Sequence, residues 1–179
     1  MGDPNAPTLD ARRLIETLDA HGVSYVVVGG FAATVYGASR PTFDIDVVPG
    51  WDNDNLTRLG GALRDLGARL RVPGLESPVE FALDADALRR FEVSTWRTDA
   101  GDIDVIIGIP TAQDNRLRIF DDLRQVATEH TIYGTVVLIA GLDDIIESKE
   151  ALGRTPDLVA LTELYDLRAA LKRSRAEDQ

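Results

Sequence analysis

The sequence predicts an α/β (α+β) protein with a small mixed β-sheet flanked by helices. Two observations lead to this class. Short apolar runs, typical of buried strands, alternate with longer segments whose apolar residues recur at helical spacing. Two later apolar runs, Glu92–Trp96 and Ile103–Ile107, are separated by a few polar residues, which is typical of an antiparallel hairpin. Helix-linked strands together with a hairpin predict a mixed sheet.

The first half of the chain alternates helices with strands. Thr8 is a candidate N-cap for the first helix, because its hydroxyl can accept a hydrogen bond from a backbone N–H of the first turn. The pair Gly29-Gly30 predicts a turn between a strand and a short helix. In chain order, the pattern predicts a helix over 9–20, a strand over Tyr25–Val28, a helix over about 31–36, a strand over 42–48 and a helix over about 55–66.

The second half is less regular. Residues 68–90 carry arginine and proline and predict a short strand, a loop and a weak helix. After the hairpin, the pattern predicts a helix near 113–124, a strand over Val136–Ile139, a helix from Leu142 to about Leu152 and a helix from about Thr155 to Arg173. We expect residues 1–7 to form a disordered lead, 8–140 to form the core, and 141–179 to form a helical element packed on that core.

Composition excludes several classes of function. The chain has 179 residues and no cysteine, which excludes disulfides, Cys-ligated zinc and thiol catalysis. A net charge of -11 opposes a sequence-independent grip on nucleic acid, although arginines gather locally, as at Arg69 and Arg71. No apolar run approaches the roughly 20 residues that span a bilayer. We therefore expect a cytoplasmic protein with no membrane partner.

The strongest chemical signal is a pair of aspartates inside an apolar strand. Asp44 and Asp46 alternate with Phe43, Ile45 and Val47, so both carboxylates are expected on one face of the strand. An unpaired buried carboxylate is costly, so these two residues need a compensating partner. Several oxygens on one face suit a hard divalent cation, most naturally Mg²⁺.

A later strand offers a third carboxylate. Asp102 and Asp104 also share a face, and a mixed sheet can place them beside Asp44 and Asp46. Three converging carboxylates could hold two metal ions about 4 Å apart, which is the arrangement of metal-assisted nucleotidyl transfer. The glycine pair, Gly29-Gly30, lacks Cβ atoms and would let backbone N–H groups approach triphosphate oxygens.

Simpler explanations exist for several of these residues. Asp44 and Asp46 could lie on an exposed edge strand, and Asp104 could face solvent. Two further Asp-x-Asp triplets, Asp52-Asn53-Asp54 and Asp84-Ala85-Asp86, follow neither a double glycine nor a strand and are better explained as helix caps and loop carboxylates.

The order of these motifs resembles a known superfamily. A double glycine, a short helix, the stretch Arg40-Pro41-Thr42-Phe43-Asp44-Ile45-Asp46 and a later strand with one more aspartate resemble the nucleotidyltransferase superfamily of DNA polymerase beta. The stretch is most similar to the AbiEii-like and MenT-like toxin nucleotidyltransferases of bacterial toxin–antitoxin systems. The segment from Leu142 to Lys149, followed by Arg154-Thr155-Pro156-Asp157-Leu158, is similar to a lysine-bearing helix and a later acidic motif of that branch.

The resemblance implies a nucleotidyltransferase fold and roles for individual residues. Asp44, Asp46 and Asp104 would hold two Mg²⁺ ions, with Asp104 preferred over Asp102 because Ile103 and Val105 flank it. Lys149 would be catalytic and would reach the triphosphate of an incoming NTP. The further nucleotide-binding residues would be Gly29, Gly30, Arg40, Thr42 and Asp157. Arg40 could instead pair with Asp44, Lys149 could be an ordinary solvated lysine, and the sequence does not define the role of Asp157. The double glycine replaces the Gly-Ser of many members, so one hydroxyl for phosphate is missing.

We therefore expect a Mg²⁺-dependent enzyme that moves NMP from an NTP to an acceptor. The toxin-like resemblance implies an RNA end, such as that of a tRNA, or a protein hydroxyl, and a cognate antitoxin as a possible partner. An aminoglycoside-type small molecule is the alternative acceptor. A catalytically silent nucleotidyltransferase fold that acts as a binding module is a third hypothesis.

Overall fold

The computed structural model describes residues 7–112 and 116–177. Its strands are β1 (Tyr25–Val28), β2 (Asp44–Pro49), β3 (Arg69–Arg71), β4 (Val93–Thr98), β5 (Gly101–Ile106), β6 (Gly108–Pro110), β7 (Leu117–Ile119), β8 (Thr128–Ile132) and β9 (Thr135–Ile139). Its helices are α1 (Ala11–Ala20), α2 (Gly29–Val35), α3 (Asn53–Asp65), α4 (Ala85–Leu88), α5 (Phe120–Leu123), α6 (Leu142–Leu152) and α7 (Thr155–Glu177).

Seven of these strands form one mixed sheet in the order β3-β4-β5-β2-β1-β9-β8. The central strand β2 runs parallel to β5 and antiparallel to β1, and β1 runs parallel to β9. Two antiparallel hairpins, β4–β5 and β8–β9, extend the sheet on either side. The remaining strands, β6 and β7, form a separate antiparallel pair. This arrangement confirms the predicted mixed sheet and the predicted hairpin.

The two faces of the sheet differ in chemistry. One face supplies Ile45, Trp96 and Ile103, which are fully buried and join leucines of α1 and α3 in a single apolar core. Side chains alternate across a strand, so the residues between these core positions point the other way. On β2, β4 and β5 those residues are mainly polar, and the two aspartate pairs are among them. The core therefore fixes which face presents the carboxylates.

Several local predictions need correction. Asp10, not Thr8, caps α1, because its side chain accepts a hydrogen bond from the backbone N–H of Arg13. The prediction of a helix near 113–124 is wrong over Leu117–Ile119, because these residues form β7 and pair with β6. Of the described residues in that segment, only Phe120–Leu123 are helical. Residues 113–115 of that segment, and 1–6 of the expected disordered lead, lie outside the described residues. Strands β6 and β8 were not predicted from the sequence.

Other details agree with the sequence more closely. Asp52 and Asp84 are N-caps, as expected for the two Asp-x-Asp triplets away from the glycine pair. Helix α2 begins at Gly29, two residues earlier than predicted, so the glycine pair is the first turn of this helix. Among the described residues, no helix is both long enough and apolar enough to cross a membrane.

Candidate active site

The four strand aspartates form two adjacent cross-strand pairs on the polar face of the sheet. In the parallel pairing of β2 with β5, Asp46 lies opposite Asp104, and Asp44 lies opposite Asp102. Three of these residues, Asp44, Asp46 and Asp104, line one cavity of about 360 Å³. That volume is within the range of small-molecule sites. The structure therefore brings together the three carboxylates named from the sequence.

The rest of the cavity wall comes from α2, from β6 and from the two C-terminal helices. Gly29 and Gly30 line it beside Asp46, and Lys149 lines it from α6. The remaining described lining residues are Val28, Val93, Ile106, Gly108, Ile109, Pro110, Ile145, Ser148, Leu152, Arg154 and Asp157. The cavity thus has charged groups of both signs and an extensive apolar wall, a combination that suits a ligand with a phosphate group and an apolar ring.

Gly29 is required at its position by the neighbouring carboxylate. It has a φ of +65°, and a Cβ built on it would lie 2.0 Å from Oδ2 of Asp46. Both the left-handed backbone and the lack of space exclude a side chain. The backbone N–H of Gly30 donates a hydrogen bond to Asp46. In this structure, therefore, the glycine pair that we predicted to contact phosphate contacts the carboxylate of Asp46 instead.

Two of the cavity carboxylates have strongly raised pKa values. Burial, together with the charges of Asp104 and Asp44, raises the pKa of Asp46 to about 7. Burial also raises the pKa of Asp104 to about 6; a hydrogen bond from Thr95 opposes the rise and the charge of Asp44 adds to it. Oδ1 of Asp104 is buried and has no hydrogen-bond partner in the described structure. Raised pKa values and an unsatisfied buried oxygen are typical of functional sites that bind a cation.

Asp102 lies beside this site but has a different environment. Its Oδ2 accepts a hydrogen bond from Nη1 of Arg71 at 3.0 Å, and its Oδ1 accepts one from Nε of Arg97 at 3.1 Å. It is not among the described residues that line the cavity. The structure therefore places Asp104, and not Asp102, in the cavity with Asp44 and Asp46.

Asp157 holds two cations at the edge of the cavity. It accepts hydrogen bonds from Nζ of Lys149 at 3.2 Å and from Nε of Arg154 at 2.6 Å. Burial opposes ionisation of Asp157, but these bonds outweigh it and lower its pKa. The pKa of Arg154 is raised, mainly by its bond to Asp157 and also by the charges of Asp46 and Asp104. Lys149 and Arg154 thus lie within electrostatic reach of the carboxylates.

Two predicted nucleotide-binding residues lie apart from the cavity. Arg40 donates a hydrogen bond to the carbonyl of Pro156 at 3.3 Å, and Thr42 donates one to the side chain of Asp44 at 3.1 Å. The described lining residues of the cavity include neither Arg40 nor Thr42. Thr42 can therefore orient Asp44, whereas Arg40 contacts the start of α7.

Sequence reasoning missed Arg154 and Ser148 as site residues. Arg154 was part of a motif that resembles the family, and its spacing of three residues from Asp157 would have indicated that the two side chains meet. Ser148 had no such signal, because a serine inside a helix is unremarkable until the helix is placed against a cavity. Both residues line the cavity beside Lys149.

The site carboxylates can be compared with the ligands that a metal ion requires. Within residues 7–112 and 116–177, no group of three or more His, Asp or Glu side chains is arranged to hold a metal ion. The donor set nevertheless fits Mg²⁺ chemically, because it consists of carboxylate oxygens and one of them is unsatisfied. Mg²⁺ is commonly bound by one or two carboxylates plus substrate phosphates, rather than by protein ligands alone.

No protein-family model and no curated protein matches the chain. Solved structures do match. The chain is similar to the antibiotic-resistance factor ANT(2'')-Ia, with 16% identity, a TM-score of 0.52, and coverage of 93% of this chain and 91% of that one. It is also similar to a Thermotoga maritima protein provisionally described as a nucleotidyltransferase, with 14% identity, a TM-score of 0.54, and coverage of 92% and 99%. The lincosamide antibiotic adenylyltransferase LnuA gives 12% identity, a TM-score of 0.53, and coverage of 90% and 99%.

The chain has the nucleotidyltransferase fold. Identities of 12 to 16% carry the fold and not the substrate. These neighbours do not bear on the closer likeness to AbiEii-like and MenT-like toxins, which still depends on sequence motifs alone.

Proposed function

We propose that this chain is a metal-dependent nucleotidyltransferase that moves NMP from an NTP to an acceptor. The observation that carries the proposal is the pairing of Asp46 with Asp104 across β2 and β5, in one cavity with Lys149 and Arg154. An uncompensated carboxylate pair that faces two cations suits a ligand that brings both a divalent ion and a polyphosphate. The nucleotidyltransferase fold supports the same reaction class.

The reaction assigns a separate task to each group of residues. The acceptor hydroxyl loses its proton to solvent, its oxygen forms a bond to the α-phosphorus, the bond from that phosphorus to the bridging oxygen of the β-phosphate breaks, and pyrophosphate leaves. Asp44, Asp46 and Asp104 would hold Mg²⁺, which when bound favours the ionised acceptor hydroxyl and offsets charge on the leaving group. Lys149 and Arg154 would bind the triphosphate, and Asp157 would orient both cations.

The glycine pair and the loop before β2 would assist. Gly29 and Gly30 leave space at the first turn of α2, and we propose that their N–H groups contact phosphate when the nucleotide is bound. Thr42 would keep the carboxylate of Asp44 oriented. For Arg40 we propose nucleotide binding from the sequence motif, while its contact with Pro156 supports a second role in joining the β2 segment to α7.

Two classes of acceptor have support. The toxin-like motifs of the sequence support an RNA end, such as that of a tRNA, or a protein hydroxyl, and with them a cognate antitoxin. Fold neighbours support a small molecule, because one is described in complex with adenylyl-2''-tobramycin and another is lincomycin-bound. The acidic net charge of -11 is unfavourable for a long polyanion over most of the surface.

A transfer assay tests the proposal. The protein is incubated with each labelled NTP and Mg²⁺, together with total RNA, a protein extract, tobramycin or lincomycin, and label transfer and pyrophosphate release are measured. We expect transfer from at least one NTP, abolished by EDTA. Label on RNA or protein supports the toxin-like function, and label on an antibiotic supports the small-molecule one. No transfer, with no calorimetric binding of Mg·NTP, would contradict the enzyme and support the silent fold.

A further inference from the structure

The sheet order separates the two sides from which reactants can approach the carboxylates. Gly29 and Gly30 follow β1, on one side of β2, whereas β4 and β3 lie beyond β5 on the other side. Under the proposed function, the triphosphate binds at the glycine pair that follows β1, in the cavity that Lys149 and Arg154 also line. In phosphoryl transfer the attacking and leaving oxygens lie roughly in line. The acceptor is therefore expected over β4 and β3.

A second cavity lies at that position. It has a volume of about 400 Å³ and is lined by residues 72–78, a loop after β3, and by Arg71, Thr95 and Arg97 on the polar face of the sheet. Thr95 is the cross-strand partner of Asp104. The cavity therefore begins directly beside the carboxylate that the proposed reaction uses, but its lining is separate from that of the nucleotide cavity.

Arginine side chains dominate the polar wall of this second cavity. Arg97 bonds to the carboxylate of Asp102 through two N–H groups and Arg71 through one, so both guanidinium groups are anchored on that carboxylate. The side chain of Arg71 is 41% exposed, so it can contact a ligand without losing its bond to Asp102. A guanidinium held in place in this way suits a phosphate, because its planar N–H groups match phosphate oxygens. Glu76, on the loop, is the opposing charge in the lining.

We infer that this second cavity is the acceptor subsite and that Arg71 binds a phosphate group of the acceptor. The inference rests on the proposed function for the direction of approach. The phosphate can belong to an RNA backbone or to a phosphorylated small molecule, and the chemistry at Arg71 is the same. A cationic acceptor such as an aminoglycoside would reverse the charge preference at this subsite.

Equilibrium binding without nucleotide tests the inference independently of catalysis. Fluorescence anisotropy of a labelled single-stranded RNA, and calorimetry with ribose 5-phosphate, are measured for the parent protein and for Arg71→Gln, Glu76→Gln and Arg69→Gln. Arg69 is the matched control, because it lies on the same strand, pairs with Glu80 at 2.9 Å and does not line the cavity. Tobramycin serves as the cationic probe. Thermal melting verifies that each variant is folded.

We expect Arg71→Gln to raise the Kd of the anionic probe about tenfold, because it removes a charge-assisted contact. Glu76→Gln should lower that Kd about two- to threefold, and Arg69→Gln should change it little. For RNA, the salt dependence of log Kd should also fall by roughly 0.7 in slope with Arg71→Gln. Dependence on Arg71 for RNA or for the sugar phosphate identifies the source of the phosphate.

Two results would overturn the inference. The first is that neither anionic probe responds to Arg71→Gln while the variant is folded. The second is that the parent protein binds tobramycin and neither anionic probe, with a Kd for tobramycin that Arg71→Gln lowers and Glu76→Gln raises. The proposed function fails separately, because its failure appears as loss of NTP transfer in the parent protein, whatever these binding measurements give.

Discussion

Asp102 and Asp104 lie two residues apart on the same face of β5, but their environments are opposite. Asp102 is bonded to Arg71 and Arg97, whereas Asp104 has a buried oxygen without a partner and a pKa raised to about 6. The first carboxylate is satisfied by the protein, and the second is satisfied only when something else binds. Its neighbour across the sheet, Asp46, also has a raised pKa, about 7, although it accepts a hydrogen bond from the backbone N–H of Gly30. The comparison distinguishes a structural carboxylate from a site carboxylate by its partners.

The largest effect should come from Asp46 and Asp104, the cross-strand pair with raised pKa values. We expect Asp46→Asn or Asp104→Asn to lower the rate of nucleotidyl transfer about a thousandfold or more, because under the proposed function each removes an anionic metal ligand. Neither change should lower the melting temperature, since each removes a carboxylate whose charged form is disfavoured by burial and by neighbouring aspartates. Steady-state transfer and thermal melting measure the two quantities. An active, folded Asp46→Asn protein would refute the metal assignment.

Lys149 is a cationic side chain that lines the same cavity as Asp46 and Asp104. We expect Lys149→Ala to weaken Mg·NTP binding about tenfold to a hundredfold, because an ammonium next to phosphate contributes a charge-assisted contact. Folding should be little affected, because Asp157 keeps its bond to Arg154. Isothermal calorimetry measures the affinity, with Lys172→Ala, an exposed lysine on α7, as the control. Equal NTP affinity in the parent and in Lys149→Ala would show that Lys149 does not contact the triphosphate.

Because of Asp46 and Asp104, we also expect Mg·NTP to stabilise the folded protein. At a Mg·NTP concentration about 100 times its Kd, binding to the folded state alone adds roughly 2.7 kcal/mol to the free energy of unfolding. We expect a higher melting temperature with Mg·NTP and no such rise with the Asp46→Asn protein. Melting curves with each of the four nucleotides provide the measurement. Indifference to every nucleotide would favour the silent fold.

The sequence predicted that the aspartates of each strand share a face, but not that Asp102 and Asp104 have different environments. Alternation along a strand places Asp102 and Asp104 on one face, and it does the same for Asp44 and Asp46. The arginines that neutralise Asp102 come from β3 and β4, so no local pattern could reveal them. Its apolar neighbours led us to prefer Asp104 from the sequence, but only the assembled sheet shows that Asp104 lines the cavity while Asp102 is bonded to two arginines.

The same limit explains the errors in the fold. The segment near 113–124 was predicted helical, but Leu117–Ile119 bond to β6 in an antiparallel pair that brings together residues far from helical spacing. Strand β8 is a polar sequence that pairs with β9 at the edge of the sheet, so it lacks the apolar run of a buried strand. Elements that bury a complete apolar stripe, such as α1 and α3, were predicted well because their periodicity is local.

A smaller effect should come from Asp102, whose carboxylate is bonded to two arginines. We expect Asp102→Asn to lower the free energy of unfolding by about 1 to 2 kcal/mol, because two guanidinium groups lose a charged acceptor. Transfer activity should fall much less than with Asp104→Asn. Urea unfolding and transfer assays of the two variants in parallel test the contrast. The reverse order of activities would show that Asp102 is the site carboxylate.

The smallest effect is on the pH dependence of the free energy of unfolding. It distinguishes Asp46 and Asp104 from Asp102 without any ligand. Asp46 and Asp104 have folded-state pKa values of about 7 and about 6, above the ordinary value of 3.8. Between roughly pH 4 and 7 the folded state therefore binds more protons than the unfolded state, so their contribution is full at low pH and is lost as pH rises. Asp157, with its lowered pKa, acts only below this window.

We therefore expect the parent protein, in EDTA, to lose stability from about pH 4.5 to 7.5, and Asp46→Asn to lose at least about 1 kcal/mol less. Asp102→Asn should retain the loss of the parent, because Asp46 and Asp104 are still present. The raised pKa of Asp144 gives every variant the same background slope, so the difference between variants isolates the site. Urea unfolding at the two pH values measures it. Parallel pH profiles for the parent and Asp46→Asn would mean that burial and the neighbouring charges do not raise the pKa of Asp46, and the distinction between Asp46 and Asp102 would then have no electrostatic basis.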